Sequence, residues 1–185
     1  MGVEYFGHRT PVDAGEPQRR NMSTEIVSDA TSAEPLLRRK TVTAVSPGTM
    51  RADIDFGEYG SFVTDEPVAH GGTGEGPSPL QTVVGALAGC ESVTFNRTAA
   101  EFGFEYESIS YAAEFTIDIR GRLGNRSVRR HFQTVRLEAT VITAESEERL
   151  REVVEETEAR CPVYNLINDA GVKLESRWIR KPPGG

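Results

Sequence analysis

The chain has 185 residues, a formal net charge of −7 and a pI near 5.1, which argues against non-specific nucleic-acid binding, because that needs a basic face. Hydrophobic residues make up 37 % and charged residues 26 %, the balance of a soluble globular chain able to bury a good core. No stretch approaches the ~18 consecutive apolar residues of a membrane span, and the N-terminus has no apolar secretory segment, so the chain is read as cytoplasmic, with no membrane and no nucleic-acid partner. In that compartment its two thiols stay reduced unless chemistry oxidises them.

Residues 1–37 are polar, with scattered Pro, Gly, Arg and Ser and no helical or strand period. They read as a flexible N-terminal extension, within which Met22 would begin a plausible shorter protein. Residues 38–185 read as one domain. From Lys40, the runs KTVTAVS, TMRADIDF and GSFVTDE predict a three-stranded antiparallel meander, separated by Pro-Gly and Gly-containing turns. EPVAHGGTGEGP, residues 66–77, holds too many glycines for a regular element and is read as a loop, with His70 exposed in it. Asp65-Glu66-Pro67 before it reads as a solvated turn. GGTGEG is not a phosphate loop, since no Lys-Ser/Thr follows the glycines.

Ser78 suits an N-cap and Pro79 a first helical position, opening a helix that runs to about Phe102. Leu80, Val83, Val84, Leu87, Ala88, Val93 and Phe95 leave almost no polar face before Glu91, which predicts a buried helix. Gly85 and Gly89, beside Ala86 and Ala88, let another backbone approach it closely. YESISYAAEFTIDIRG and HFQTVRLEATVITA alternate as strands, joined by the Gly-, Asn- and Arg-rich hairpin GRLGNRSVRR, read as a solvated tip. Ser146 to Arg160 is a second helix, with Leu150, Val153, Val154 and Thr157 on one face. Pro162 cannot donate the backbone bond a continuing helix needs, so the chain turns at Cys161. VYNLINDAG is a short helical turn ending at Gly171, and VKLESRWI is a last strand. The order β-β-β-α-β-β-α-(α)-β is α+β.

The chemistry rests on two cysteines. Cys90 lies inside the apolar helix and Cys161 at a helix end against a proline. A zinc centre needs about four clustered ligands; His8, His70 and His131 do not cluster with either cysteine, so no metal is expected. On residue type alone Cys90 is either a small core hydrophobe or a nucleophile.

GPSPLQTVVGALAGCESVTF, followed far downstream by ARCPVYNLI, resembles the OsmC/Ohr family of thiol-dependent hydroperoxide reductases. The resemblance runs from about Lys40 to Ile179. It implies an OsmC-like fold: a tightly interwoven homodimer with central buried helices wrapped by the sheets of both chains. It also implies an enzyme of the oxidative stress response. Cys90 would attack an organic hydroperoxide and become a sulfenic acid, and Cys161 would resolve it to a disulfide. An external dithiol, a lipoyl protein or a thioredoxin-like one, would reduce that disulfide, with no bound cofactor. Burial raises the cost of a thiolate, and Glu91 adds to it if it faces the sulfur, so a cation is required. By the resemblance this is Arg51 in GTMRADI. The family Glu that holds the Arg falls at Leu80 here; Gln81 and Glu75 are the polar residues nearby. The substrate pocket is then expected around Leu80, Gln81, Leu87 and Glu75. The competing reading keeps the fold and makes the pocket a binding site for a small apolar or acyl ligand, or a redox sensor, without efficient peroxidase activity.

Overall fold

A computed structural model describes residues 35–184. Most of the extension expected over residues 1–37, Met22 included, lies outside the described residues. The chain divides into two compact units, Met1–Arg39 and Lys40–Gly185. Of the first, residues 35–39 are exposed and belong to no helix or strand.

The second unit begins with an antiparallel meander: β1 (Thr43–Val45), β2 (Ala52–Asp55) and β3 (Ser61–Thr64), adjacent in that order. Phe56 and Phe62 stack on it with ring centroids 5.5 Å apart. The glycine-rich loop leads into α1 (Pro79–Phe102), followed by β4 (Ser108–Ile117), a single turn α2 (Ile119–Arg122) and β5 (Phe132–Ile142). Helices α3 (Glu147–Arg160) and α4 (Pro162–Asp169) then cross over to β6 (Lys173–Lys181). A second sheet has the order β4-β5-β6, with β4 antiparallel and β6 parallel to β5. This is the α+β order the sequence predicts.

The two sheets are built differently because their strands bury differently. In β5, the central strand, Val135, Leu137, Ala139 and Val141 are all at 0 % exposure, the alternation of a strand with one covered face. Tyr111 of β4, Ala139 of β5 and Trp178 of β6 pair across the sheet in one row. The two large rings meet edge to face over that methyl, with centroids 6.1 Å apart. Helix α1 packs into this face, with Phe95 stacked on Trp178 at 5.2 Å. Offset or edge-on aromatic contacts of this kind add stabilisation beyond the area they bury.

The start of α1 is a full capping box. The Ser78 hydroxyl accepts the Gln81 N–H at 3.3 Å, and the Gln81 side-chain oxygen accepts the Ser78 N–H at 2.9 Å, satisfying two donors a helix start otherwise leaves free. Gly103, with φ 61°, ends it. Within this chain alone α1 is covered on one side: Val84, Leu87, Glu91, Phe95, Thr98 and Ala99 form its covered stripe, whereas Val83 is 40 % and Val93 54 % exposed. One sheet and two helices cover one side of a cylinder, and the other side of α1 is left open. Neither Gly85 nor Gly89 has a neighbour against its open face.

The loop before α1 departs from expectation as well. Asp65 does not sit in a solvated turn; it is fully buried. Its carboxylate accepts the N–H of Glu66 at 2.8 Å, the N–H and hydroxyl of Thr73 at 2.9 and 2.6 Å, and the N–H of Glu75 at 3.2 Å. The glycines follow from this tight winding. A Cβ on Gly72 would collide with the Glu66 carbonyl, and one on Gly76 with the Val63 carbonyl. Nor is the Arg-rich hairpin wholly free in solvent: Arg122 pairs with Glu66 at 2.9 Å, and Arg129 donates to the Gly171 carbonyl at 2.7 Å.

The bonds from Thr73, chiefly, hold the Asp65 carboxyl below its ordinary range. A carboxyl with a lowered folded value stabilises the fold above its unfolded pKa of about 3.9 and loses that contribution as pH falls through the folded value. Asp65→Asn is therefore expected to melt at a lower temperature than the wild type at pH 7, with the gap shrinking below about pH 4; calorimetry across that range checks it.

Candidate functional site

Helix α1 carries the site at its middle. Leu87, Glu91 and Phe95 are spaced four apart, so they share one face, and all three are at 0 % exposure. A carboxylic acid thus occupies the innermost stripe, between a leucine and a phenylalanine. Cys90 is one position away, turned toward the edge of that stripe, and is half-buried. It lies on one line with Thr82 and Ala86, again at four-residue spacing.

The junction of α3 and α4 supplies the facing thiol. Cys161 ends α3 and caps α4: its own N–H bonds the Thr157 carbonyl, and its sulfur accepts the Tyr164 N–H at 3.4 Å. The Asn165 amide closes the same corner, donating to the carbonyls of Glu158, Ala159 and Cys161 at 3.0, 3.2 and 2.9 Å. Cys161 is fully buried, and neither cysteine is in a disulfide. The Cys161 thiol has Cys90 and Glu91 as neighbours that influence its titration.

Burial dominates the titration here, because a low-dielectric surrounding disfavours the charged form of an acid. It is the main cause that pushes Cys161 up to about 12, with the bond to Cys90 adding and the Tyr164 N–H working the other way. Burial likewise raises Glu91 from 4.5 to about 7; the Cys161 thiol opposes the rise and Glu158 reinforces it. Neither Glu91 oxygen finds a hydrogen-bond partner of good geometry, nor does the Tyr111 hydroxyl. Tyr111 is raised by burial and then by Glu91, and Tyr164 is raised to about 12 by burial and then by Glu158. Trp178 holds Glu158 at the rim of this cluster, donating its indole N–H at 3.0 Å.

The other expected site residues are divided between places. Arg51, just before β2, pairs with Asp53 at 2.5 Å and with Glu75; Cys90 is not among its partners in this chain. The Asp53 bond is the first cause that raises the guanidinium pKa. Gln81 is committed to the cap of α1, but its stem lines an open groove of about 670 Å³ between the meander and α1. Ile54, Phe56 and Phe62 form one wall, and Thr82, Val83 and Ala86 the other. Cys90 lies one helical turn beyond Ala86 on the same line of α1 and does not itself line the groove. Leu80 is elsewhere, in a hollow of about 230 Å³ with Glu66, Arg122 and His131. The expectation that Leu87 lines the pocket is corrected: its side chain is wholly inside the core with Val84, Val135 and Leu137, because the same stripe that buries Glu91 buries it. Glu91, which the sequence marks only as a charge that would add to the cost of a thiolate, is fully buried. Its signal is a lone acid in an otherwise apolar helical stretch. Among the described residues no group of three His, Cys, Asp or Glu is gathered as a metal centre needs.

The family profile described as OsmC-like protein matches residues 72–177. No curated protein sequence matches the chain. Among solved structures, an OsmC-like protein from Mycoplasma pneumoniae is similar with a TM-score of 0.66 at 17% identity, over 78% of this chain and 97% of that one. An organic hydroperoxide resistance protein OsmC from Legionella pneumophila gives 0.60 at 18% identity, over 78% and 99%. The organic hydroperoxide resistance protein OhrB of Bacillus subtilis gives 0.53 at 20% identity, over 78% and 98%. At these identities the likeness is one of fold. No helix among the described residues is long and apolar enough to cross a membrane.

A carboxyl whose folded value lies above its unfolded one costs stability as pH rises between the two values and no further beyond the folded one. The rise of Glu91 from 4.5 to about 7 corresponds to roughly 3 kcal/mol. Glu91→Gln is accordingly expected to be more stable than the wild type at pH 8, by on the order of 2–3 kcal/mol. The advantage shrinks between pH 7 and 4.5 and disappears below. Denaturant titrations at several pH values read this directly.

Proposed function

This chain belongs to the OsmC-like protein family, and we propose that it is a thiol-dependent peroxidase that reduces organic hydroperoxides to alcohols. The observation that carries the reading is the pair of neighbouring thiols, Cys90 at the middle of α1 and half-exposed, Cys161 at the α3–α4 junction and sealed. A reachable thiol can meet a peroxide, and a buried neighbour can resolve the product.

The Cys90 thiolate attacks the outer peroxide oxygen. An S–O bond forms, the O–O bond breaks, and the alkoxide leaves and takes up a proton as the alcohol. Cys161 sulfur then attacks the sulfenic sulfur. An S–S bond forms, and the hydroxyl leaves as water. An external dithiol, such as a lipoyl or thioredoxin-like protein, returns both thiols, so no bound cofactor is needed. The cation that favours the thiolate is Arg51. Asp53 and Glu75 hold its guanidinium in place, and Glu75 does so from the loop where the family pattern has a Glu on the helix. A homodimer brings Arg51 and Cys90 together and covers the open face of α1, including Val83 and Val93. The apolar groove favours a peroxide with a hydrocarbon body over hydrogen peroxide.

The same groove supports a second reading, in which it holds a small apolar or acyl ligand and Cys90 is part of its wall. Thiol counting separates the two. Reduced protein mixed with one equivalent of tert-butyl hydroperoxide is expected to lose both thiols rapidly, and more slowly with hydrogen peroxide, while Cys90→Ser keeps its remaining thiol. Thiols that survive for hours in the wild type would sink the peroxidase reading and leave the binding one.

A further inference from the structure

The Arg51 guanidinium is gripped on two sides, and the two grips differ in origin. Asp53 lies two residues on, along β2, and accepts from Nε at 3.0 Å and from Nη2 at 2.5 Å. Glu75 takes Nη1 from the glycine-rich loop. A guanidinium has five N–H donors; these carboxylates engage three, which leaves two for a thiolate or a peroxide oxygen. Both carboxylates are about half exposed, at 47 % for Asp53 and 50 % for Glu75. Exposed ion pairs of this kind are weak and hold a geometry only where their backbones are held. The strand pairing of β2 holds the backbone of Asp53. Glu75 has no strand or helix to do so.

Asp65 supplies what is missing. It is fully buried at the end of β3, and its two oxygens divide the work. One accepts the Glu66 N–H at 2.8 Å; the other accepts the Thr73 N–H and hydroxyl at 2.9 and 2.6 Å and the Glu75 N–H at 3.2 Å. The Asp65 N–H donates to the Pro77 carbonyl at 3.0 Å. One residue therefore binds the loop on both sides of Gly76, where a Cβ would collide with the Val63 carbonyl. The strand register brings the same residue to the arginine. Ala52 pairs with Thr64, and one step further along that register Arg51 stands opposite Asp65.

We propose that Asp65 is a positioning residue of the peroxidase reaction: by binding the backbone of Thr73 and Glu75 it sets the Glu75 carboxylate that aims Arg51. The proposal rests on the peroxidase reading, with Arg51 as its cation, and adds a residue to it. The hydrogen bonds of Asp65 all stay within the loop and its ends, so its effect on the thiolate passes through Glu75 and Arg51. The charged groups around the guanidinium are Asp53, Glu75 and Asp65. Without Asp65 the Asp53 grip remains, so Arg51 is loosened rather than released.

The test is single-turnover consumption of tert-butyl hydroperoxide by the reduced full chain, followed across the range of thiol ionisation, about pH 5 to 10. Wild type is compared with Asp65→Ala, Glu75→Gln, the double variant and Arg51→Gln. A neighbouring opposite charge favours the ionised form by 1–3 pH units, so at neutral pH Arg51→Gln is expected to react about a hundredfold more slowly. Asp65→Ala and Glu75→Gln are each expected to be about tenfold slower, with the midpoint of the pH profile raised by about one unit. Because Asp65 acts through Glu75, the double variant is expected to stay about tenfold slower, whereas independent contributions would multiply to about a hundredfold. A wild-type rate in Asp65→Ala, a hundredfold loss in the double variant, or slowing with an unmoved midpoint, the mark of a merely structural role, each overturns the proposal. Arg51→Gln reacting at the wild-type rate overturns the arginine of the peroxidase reading, and wild-type thiols that do not react overturn that reading itself. Failure of the Asp65 proposal is read only where Arg51→Gln is slow, so the failures are told apart. Should Asp65→Ala fail to fold, Asp65→Asn serves. Its amide oxygen still accepts from Thr73 and Glu75 but lacks the charge that strengthens such bonds, so about threefold slowing with a raised midpoint is expected, and an unaltered rate overturns the proposal.

Discussion

The site depends on a corner in the chain where a proline forces a helix to stop. Pro162 has no N–H to continue α3, so the backbone turns at Cys161, which serves at once as the last cap of α3 and the first cap of α4. Three carbonyls exposed by that turn converge on the Asn165 amide, as helix ends require some partner for their free carbonyls. The corner is therefore rigid, and it is pressed against the middle of α1. A cysteine placed at a cap has little freedom: its sulfur accepts from the Tyr164 N–H, with Glu91 and Cys90 as neighbours. The position of the buried thiol follows from backbone chemistry before any redox chemistry is considered.

The second constraint is the row Tyr111–Ala139–Trp178 across the main sheet. The small residue lets the two large rings meet edge to face, and Phe95 fixes the depth of α1 by stacking on Trp178. With that depth fixed, the residue one turn before Phe95 on the same stripe is necessarily interior. In most helices it would be apolar. Here it is Glu91, whose burial raises its own pKa; Tyr111 and Cys161 are raised first by their own burial and further by Glu91. Buried acids crowded in this way each disfavour the charge of the others, and the cluster stays largely neutral until a reacting group nearby changes charge.

Much of this architecture is legible in the sequence because local chemistry agrees with the global fold. Ser78-Pro79 opens α1, Pro162 ends α3, and the strand alternations of β4 and β5 survive intact. Two readings did not survive. Asp65 looked like a turn residue because its partners, Thr73 and Glu75, are too remote for a turn rule to see. Leu87 looked like a pocket residue because helical periodicity names a face without saying what covers it. Glu91 was visible as an isolated charge, but its depth depends on Ala139 and Trp178, far downstream in the chain.

Arg51 is held from the meander and from the glycine loop rather than from α1. Leucine at position 80 cannot orient a guanidinium, and in this fold its side chain faces a different hollow from the groove. The carboxylates that hold Arg51 are Asp53 on β2 and Glu75 in the glycine loop. A loop residue is a poor anchor unless the loop is itself held, and this one is: Asp65, buried at the end of β3, binds the backbone of Thr73 and of Glu75, while Gly72 and Gly76 let the chain wind close enough for those bonds to form. β2 and β3 are paired, with Ala52 opposite Thr64, which places Arg51 and Asp65 next to each other at the same end of the meander. The order of dependence runs from a buried aspartate, through a loop that only glycine permits, to the carboxylate that holds Arg51. The density of glycine in residues 66–77 is thus tied to the position of a charge rather than to flexibility.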